Sequence, residues 1–267
     1  MNKKVVIVGC TKNSGHYIEE RLHKLVEIGK LFTTYNIVLY ENDSTDNTVE
    51  ILTQFKNNNT LFNFISEENV IERIKYKQLH NRVQILEHCR NSLLNHVLKH
   101  FLEYDLMIMI DLDNVLEKFN PKTILNAFNY GDDWSALTAN CFGKYYDVWA
   151  LRISDKIWKQ HIHGKIWKTP LMHDCWSQIA NNVHPRICVD AYQQIIPINM
   201  PLIQTTSSFG GLGIYKIKDI QHCKYKCYND MYMFCQCEHV SFHTSIHGKT
   251  FICPSLLVNC PLEHIIQ

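Results

Sequence analysis

The first third of the chain alternates continuous apolar runs with segments of helical spacing. KKVVIVGCTKN (Lys3 to Asn13) is apolar until small and polar residues end it, as in a strand buried on both faces. From Ser14 to Lys30, Ile18, Leu22, Leu25 and Val26 recur on one helical face, and Gly29 marks its end. YNIVLYENDSTDNT is a second strand running into a polar turn, and Val49 to Phe55 reads as a helix capped by Asp46 or Ser44. LFNFISEE is a third short strand, Arg82 to Phe101 a long amphipathic helix, and Asp105 to Ile110 a fourth strand. This alternation predicts an α/β fold, a mainly parallel sheet flanked by helices. Ligands of such sheets bind beyond the C-terminal ends of the strands, where the polar tips GCTKN, YENDSTDNT and DLDN fall.

After Asn114 the pattern loosens. FNPKTILNAFN predicts a helix begun after Pro121, WSALTANCFGKYYDVWALR a pair of aromatic-rich strands, and Pro185 to Pro201 irregular chain. TSSFGGLGIYK reads as a glycine-rich turn entering a strand, and MFCQCEHVSFHTSIHG follows a tyrosine-rich stretch. There is no internal repeat.

Composition narrows the class. A chain of 267 residues, 46% hydrophobic and 20% charged, can bury a sizeable core. Lys+Arg 27 against Asp+Glu 26 leaves a net charge of +1, without the basic stripe of a nucleic-acid binder. No apolar run has the length of a membrane span, and MNKKVVIVGCTKN is too short for a signal-peptide core, so a reducing cytoplasm is expected. The 11 cysteines then read mainly as small buried thiols. Cys223, Cys227, Cys235 and Cys237, flanked by His222 and His239, keep structural zinc and a disulfide as alternatives, although C-x3-C followed by C-x-C is not a usual finger spacing.

Chemistry concentrates at the strand tips. Asp111 and Asp113 end the apolar strand and point the same way unless the backbone turns between them. Such a pair suits a hard divalent cation that keeps several waters and bridges phosphate oxygens. A solvated strand end is the plain alternative, and the register with two other polar tips favours the metal. YENDSTDNT forms an Asx-type turn and helix cap, and Glu41 or Asp43 at its tip can also accept hydrogen bonds from a nucleobase or ribose. Arg90 and Asn91 place polar groups in the long helix beneath the sheet edge, near a prospective diphosphate.

E-N-D-S-T-D-N-T on a strand, R-N on a helix, then an apolar strand with D-L-D resemble, in order and spacing, the GT-A fold nucleotide-sugar glycosyltransferases over essentially the whole chain. YYDVWALR, FGGLGIYK and CEHVSFH resemble a subgroup with fungal capsule-associated mannosyltransferases and predicted glycosyltransferases of large DNA viruses, which would mean a host cytoplasm. The resemblance implies one catalytic domain over 1–267, with a nucleotide-sugar-binding half (1–115) and an acceptor-binding half (116–267). It implies hexosyl transfer from a UDP- or GDP-sugar to a hydroxyl of a glycan or glycoprotein acceptor, with Mn2+ or Mg2+ held by Asp111 and Asp113. Glu41 and Asp43 then read the nucleoside, while Gly210, Gly211 and Gly213 let backbone approach the sugar; a plain turn is the alternative for these glycines. Glu238 is the expected base and His243 the expected metal histidine, with His239 as competitor, although base and histidine are usually further apart. A single base on the acceptor side implies inversion. Asp147 and Arg152 are candidates for holding acceptor or diphosphate, and Asp174 and Trp176 for an acceptor platform, with Trp149 as core. The alternatives are a sugar-1-phosphate nucleotidyltransferase, although GCTKNSGHY lacks its phosphate-loop pattern, and a non-catalytic sugar- or zinc-binding module.

Overall fold

A computed structural model describes residues 1–74, 81–160, 162–229 and 232–266. Strand β1 (Lys4–Thr11) carries Val5 and Ile7 into one hydrophobic core and Val6 and Val8 into another, which is why its apolar run has no alternation. Helix α1 (Ile18–Gly29) covers the first face with Ile18, Leu22, Leu25 and Ile28. Strand β2 (Thr34–Asn42), helix α2 (Thr48–Asn58) and strand β3 (Phe62–Glu67) follow, and β2 pairs in parallel with both β1 and β3. The expected Asp46 cap forms: its Oδ1 accepts the Thr48 N–H at 3.0 Å. Ser44 instead latches the neighbouring tip, accepting the Asn13 N–H at 2.9 Å. Helix α3 (Val70–Ile74) precedes the long α4 (Asn81–His100), whose Cys89, Leu93, Leu94 and Val97 fill the second face, and β4 (Leu106–Ile110) pairs in parallel with β1.

The second half departs from the sequence pattern in instructive ways. The helix after Pro121 is present over Pro121–Tyr130 but winds with i→i+3 geometry. The expected pair of aromatic strands is one strand, β5 (Ala136–Cys141), followed by a turn-rich segment in which Lys144 and Arg152 make isolated bridges. Trp149 lies in that turn, half-buried, with its indole N–H on Asp174 at 2.9 Å. Short helices α5 (Asp155–Gln160), α6 (Cys175–Ala180) and α7 (Pro185–Cys188) and strand β6 (Ile203–Thr205) enclose a third core around Tyr145, Leu151 and Trp167.

Strand β7 (Leu212–Lys216) then inserts antiparallel between β4 and β5. Helix α8 (Ile217–Ile220), the hairpin β8 (Tyr228–Asn229) and β9 (Tyr232–Cys235), helix α9 (Glu238–Thr244) and strand β10 (Thr250–Val258) complete the chain. The eight-stranded sheet has the order β3-β2-β1-β4-β7-β5-β10-β6. No helix among the described residues is long and apolar enough to cross a membrane.

Candidate functional site

The ends of β1, β2 and β4 meet at one edge of the sheet, with the turn before β7 on their far side. The β1 and β2 tips are stitched together: the Gly15 N–H donates to Asp46 Oδ2 at 2.9 Å, Ser14 N–H to Thr48 Oγ1 at 2.8 Å, and Thr45 N–H to Asn13 Oδ1 at 2.8 Å. Glu41 is buried behind this seam, accepting the Ser44 N–H at 2.9 Å and the Ser66 hydroxyl at 2.5 Å. Asp43, at φ 50°, accepts the Val70 and Ile71 N–H groups at 3.3 and 3.0 Å and so begins α3. Both carboxylates therefore brace the tip itself.

The two aspartates of the fourth strand diverge. Asp111 turns inward and takes Arg90 Nη2 on Oδ1 at 2.9 Å. Its backbone N–H donates to Gly211 O at 2.8 Å, tying the strand end to the glycine turn. Burial pushes its pKa up to about 6; Arg90 opposes the rise, while Asp113 and Asp147 add to it. Asp113 is exposed and uses Oδ1 to cap the turn at Val115 N–H, 3.1 Å away.

Arg90 lies 5% exposed on α4, where it reaches Asp111 and Glu238 together and stands over the Phe209 ring at 5.3 Å. Glu238, the sequence candidate for a base, is 1% exposed, and its carboxylate rests on Arg90 rather than on the open cleft. Asn91 clamps the Tyr225 backbone, donating to its carbonyl at 2.8 Å and accepting its N–H at 3.0 Å. The R-N pair thus joins the two halves of the molecule.

Gly210 and Gly211, at φ 64° and 81°, form the tight turn. A Cβ on Gly210 would lie 2.4 Å from the Ala139 carbonyl oxygen, and one on Gly211 2.7 Å from the Tyr146 hydroxyl. Gly213 sits two residues on, inside β7 opposite Met109. Asp147 holds the turn, accepting the Gly210 N–H at 2.9 Å and the Ala150 N–H at 3.3 Å. It is only half-buried, yet desolvation raises its pKa against the pull of those N–H groups and of Arg90 and His264.

The histidine assignment from sequence meets a different environment. His243 is buried with Nδ1 on the Ser207 hydroxyl at 3.2 Å and Nε2 on the Tyr215 hydroxyl at 3.1 Å, and burial drives its pKa down to about 3. His239 stacks on Phe209 with centroids 3.9 Å apart, and neither ring nitrogen has a partner. Arg152 spends its guanidinium on the Trp149 and Leu151 carbonyls and on Asp174, at 2.9, 2.7 and 3.0 Å, so this buried cation is structural. Trp176 is 52% exposed, its ring edge-on to Trp149. Sequence reasoning missed His264, which stacks on Tyr146 at 5.9 Å while its backbone carbonyl accepts from Gln193 at 2.6 Å. A lone histidine near the chain end gives no local signal; Tyr146, inside YYDVWALR, was the nearest one.

Cys223 and Cys237 are buried free thiols whose pKa values burial raises, Cys223 to about 12, and Cys227 is buried beside them. The Cys235 side chain lies outside what the structure describes. Among the described residues no group of three or more His, Cys, Asp or Glu is gathered around a metal position.

Residues 6–71, from β1 into α3, match the family model of Glycosyl transferase family 2. No curated protein matches the chain. Among solved structures the fold is similar to mannosyltransferase PcManGT from Pyrobaculum calidifontis, in complex with GDP-Man and Mn2+, at 13% identity and a TM-score of 0.50, covering 97% of this chain and 57% of that one. It is similar also to residues 1–349 of S. aureus TarS in complex with UDP, at 14% identity and a TM-score of 0.50, covering 98% of this chain and 62% of that one. The chain thus spans about three fifths of the length of these structures. The architecture is the GT-A fold, a Rossmann-like, mostly parallel sheet flanked by helices.

Proposed function

We propose that the chain is a metal-dependent glycosyltransferase that moves a sugar from a UDP- or GDP-linked donor to a hydroxyl of a glycan or glycoprotein. The observation that carries this reading is the convergence of the β1, β2 and β4 tips with the Gly210–Gly211 turn, on a fold whose residues 6–71 match Glycosyl transferase family 2. Both PcManGT and TarS were solved with a nucleotide or nucleotide sugar, which supports a donor of that class here.

The residues fit a hard cation. Asp113 is exposed and spends one carboxylate oxygen on the Val115 N–H, and Asp111, whose Oδ1 faces Arg90, would add a second oxygen ligand from the same strand end. Two carboxylates without a complete protein cage suit Mn2+ or Mg2+, which take remaining positions from water and phosphate. When bound, the ion supplies positive charge against the leaving diphosphate. We assign His264, exposed beside Tyr146, the imidazole role that the resemblance implies for His243, because both His243 nitrogens are occupied. Glu41 and Asp43 act on the nucleoside by fixing the loop that faces it.

The proton of the acceptor hydroxyl needs a carboxylate that is reachable and has a raised pKa. Asp147 has both properties; Glu238 is sealed under Arg90. We therefore move the base role to Asp147 and give Glu238 the task of holding Arg90 against Asp111. One base on the acceptor face implies inversion, so the product anomer, read by NMR, should be opposite to that of the donor. The chain's free, buried thiols favour a reducing compartment, the cytoplasm. Incubation with a panel of UDP- and GDP-sugars and Mn2+ tests the reading: release of UDP or GDP supports it, and release from none of them, with glycan acceptors present, overturns it.

A further inference from the structure

The segment between β5 and β6 carries an open-mouthed pocket of about 450 Å³ that the donor site does not use. Its frame is rigid: the Tyr192 hydroxyl bridges the Thr169 hydroxyl at 2.8 Å and the Pro170 carbonyl at 3.1 Å. Tyr192, Val183 and Ile187 give it an apolar wall, against which polar groups of three kinds stand. His173 is edge-on to Tyr192, and its Nε2 is buried without a partner. Gln178 brings an amide from α6, and Arg186 an exposed guanidinium from α7.

The two aspartates of this segment nearest to Arg186 in the chain are already engaged. Asp174 pairs with Arg152 at 3.0 Å and caps α6 at Ser177, and Asp190 pairs with Lys144 at 2.8 Å. The cavity thus joins an apolar face, an uncompensated planar cation and a desolvated ring nitrogen. A buried nitrogen without a hydrogen bond is costly, and a bound polar group removes that cost. The guanidinium fork matches phosphate or carboxylate oxygens in pairs.

We propose that this cavity is a second carbohydrate site that takes a sugar bearing an acidic group, phosphate or carboxylate. Tyr192 and the aliphatic wall cover the C–H face of the ring, Arg186 takes the anion, and His173 and Gln178 bond ring hydroxyls. Resting on the glycosyltransferase reading, the site holds an acceptor by an acidic residue away from the bond-forming centre. It connects to that centre through Asp174, Arg152 and Trp149, two residues from Asp147.

Ligand-observed NMR and calorimetry with mannose, mannose 6-phosphate, glucuronic acid and inorganic phosphate test the proposal, with UDP and Mn2+ titrated on the same samples. One or both acidic sugars should bind at least about tenfold more tightly than mannose. The stronger of the two identifies the acidic group as phosphate or carboxylate. Arg186→Ala, at an exposed position, should abolish that preference, and His173→Phe, which keeps the ring contact with Tyr192, should weaken binding severalfold. UDP affinity should be unchanged in both variants. Equal binding of mannose and the acidic sugars, binding of none, phosphate binding as tightly as its sugar ester, or an Arg186→Ala variant that retains the preference would each overturn it. Failure of the unmodified protein to bind either UDP or GDP with Mn2+ would strike the glycosyltransferase reading instead.

Discussion

At the scale of single residues, the centre of the molecule is a chain of charge from Asp111 through Arg90 to Glu238. Breaking a buried ion pair strands its partner, at a cost of about 3–5 kcal/mol. Arg90→Ala should therefore lower the unfolding free energy measured in urea by that order, more than Glu238→Gln does. Activity separates the roles: Asp147→Asn should cut kcat by about a hundredfold or more while leaving donor binding intact. The reverse pattern, with Glu238→Gln inactive but stably folded, would return the base role to Glu238. The sequence singled out Arg90, Glu238 and the aspartates as candidates, but not which of them meet. A ladder of contacts among residues 21 and more positions apart has no periodicity to read. Glu238 and His243 share a helix that the sequence reading did not assign, and packing turns both inward.

Two buried histidines on that helix carry a pH signature. Burial holds His239 well below its usual pKa and His243 at about 3, so both stay neutral in the fold, whereas the unfolded chain takes up protons below about pH 6.5. The unfolded state binds more protons between those limits, so stability must fall as pH drops through them, by up to about 1.4 kcal/mol per pH unit for each histidine. His239→Phe keeps the stacking on Phe209 and removes two unpartnered nitrogens. Urea midpoints at pH 7.5 and pH 5 should show it at least as stable as the parent, with a smaller loss on acidification. An unchanged loss would mean that His239 is not kept neutral.

At the scale of elements, the parallel half was legible because its rules are local. Continuous apolar runs, a cap at Asp46 and short loops define β1 to β4, and their polar ends define the site edge. The second half was not, because its decisive event is the entry of β7 antiparallel between β4 and β5, a pairing across about a hundred residues of chain. YYDVWALR likewise has strand composition, but Asp147 and Arg152 pull it into a turn through bonds to Gly210 and Asp174. The turn they hold is the most sensitive element. Gly211→Ala adds a left-handed penalty of about 1–2 kcal/mol to a clash with Tyr146 and Val115. It should lower the melting temperature and weaken donor binding together, since Gly211 O also anchors Asp111. A variant with donor affinity unchanged would detach the turn from the site.

At the scale of the whole molecule, a parallel first half and a second half of mixed pairing share one sheet, and α4 joins them through Asn91 and Arg90. The near-neutral net charge of +1 leaves recognition to a few placed groups rather than to a long-range field. Of those groups, Asp113 is the one on which the proposed function depends most directly. Calorimetric titration of UDP and GDP, with and without Mn2+, into the parent protein and Asp113→Ala measures this. The account predicts nucleotide binding that requires Mn2+ and weakens at least about tenfold, or 1.4 kcal/mol, in the variant. Binding of neither nucleotide in the presence of Mn2+, or equal binding by the parent and Asp113→Ala, would contradict it.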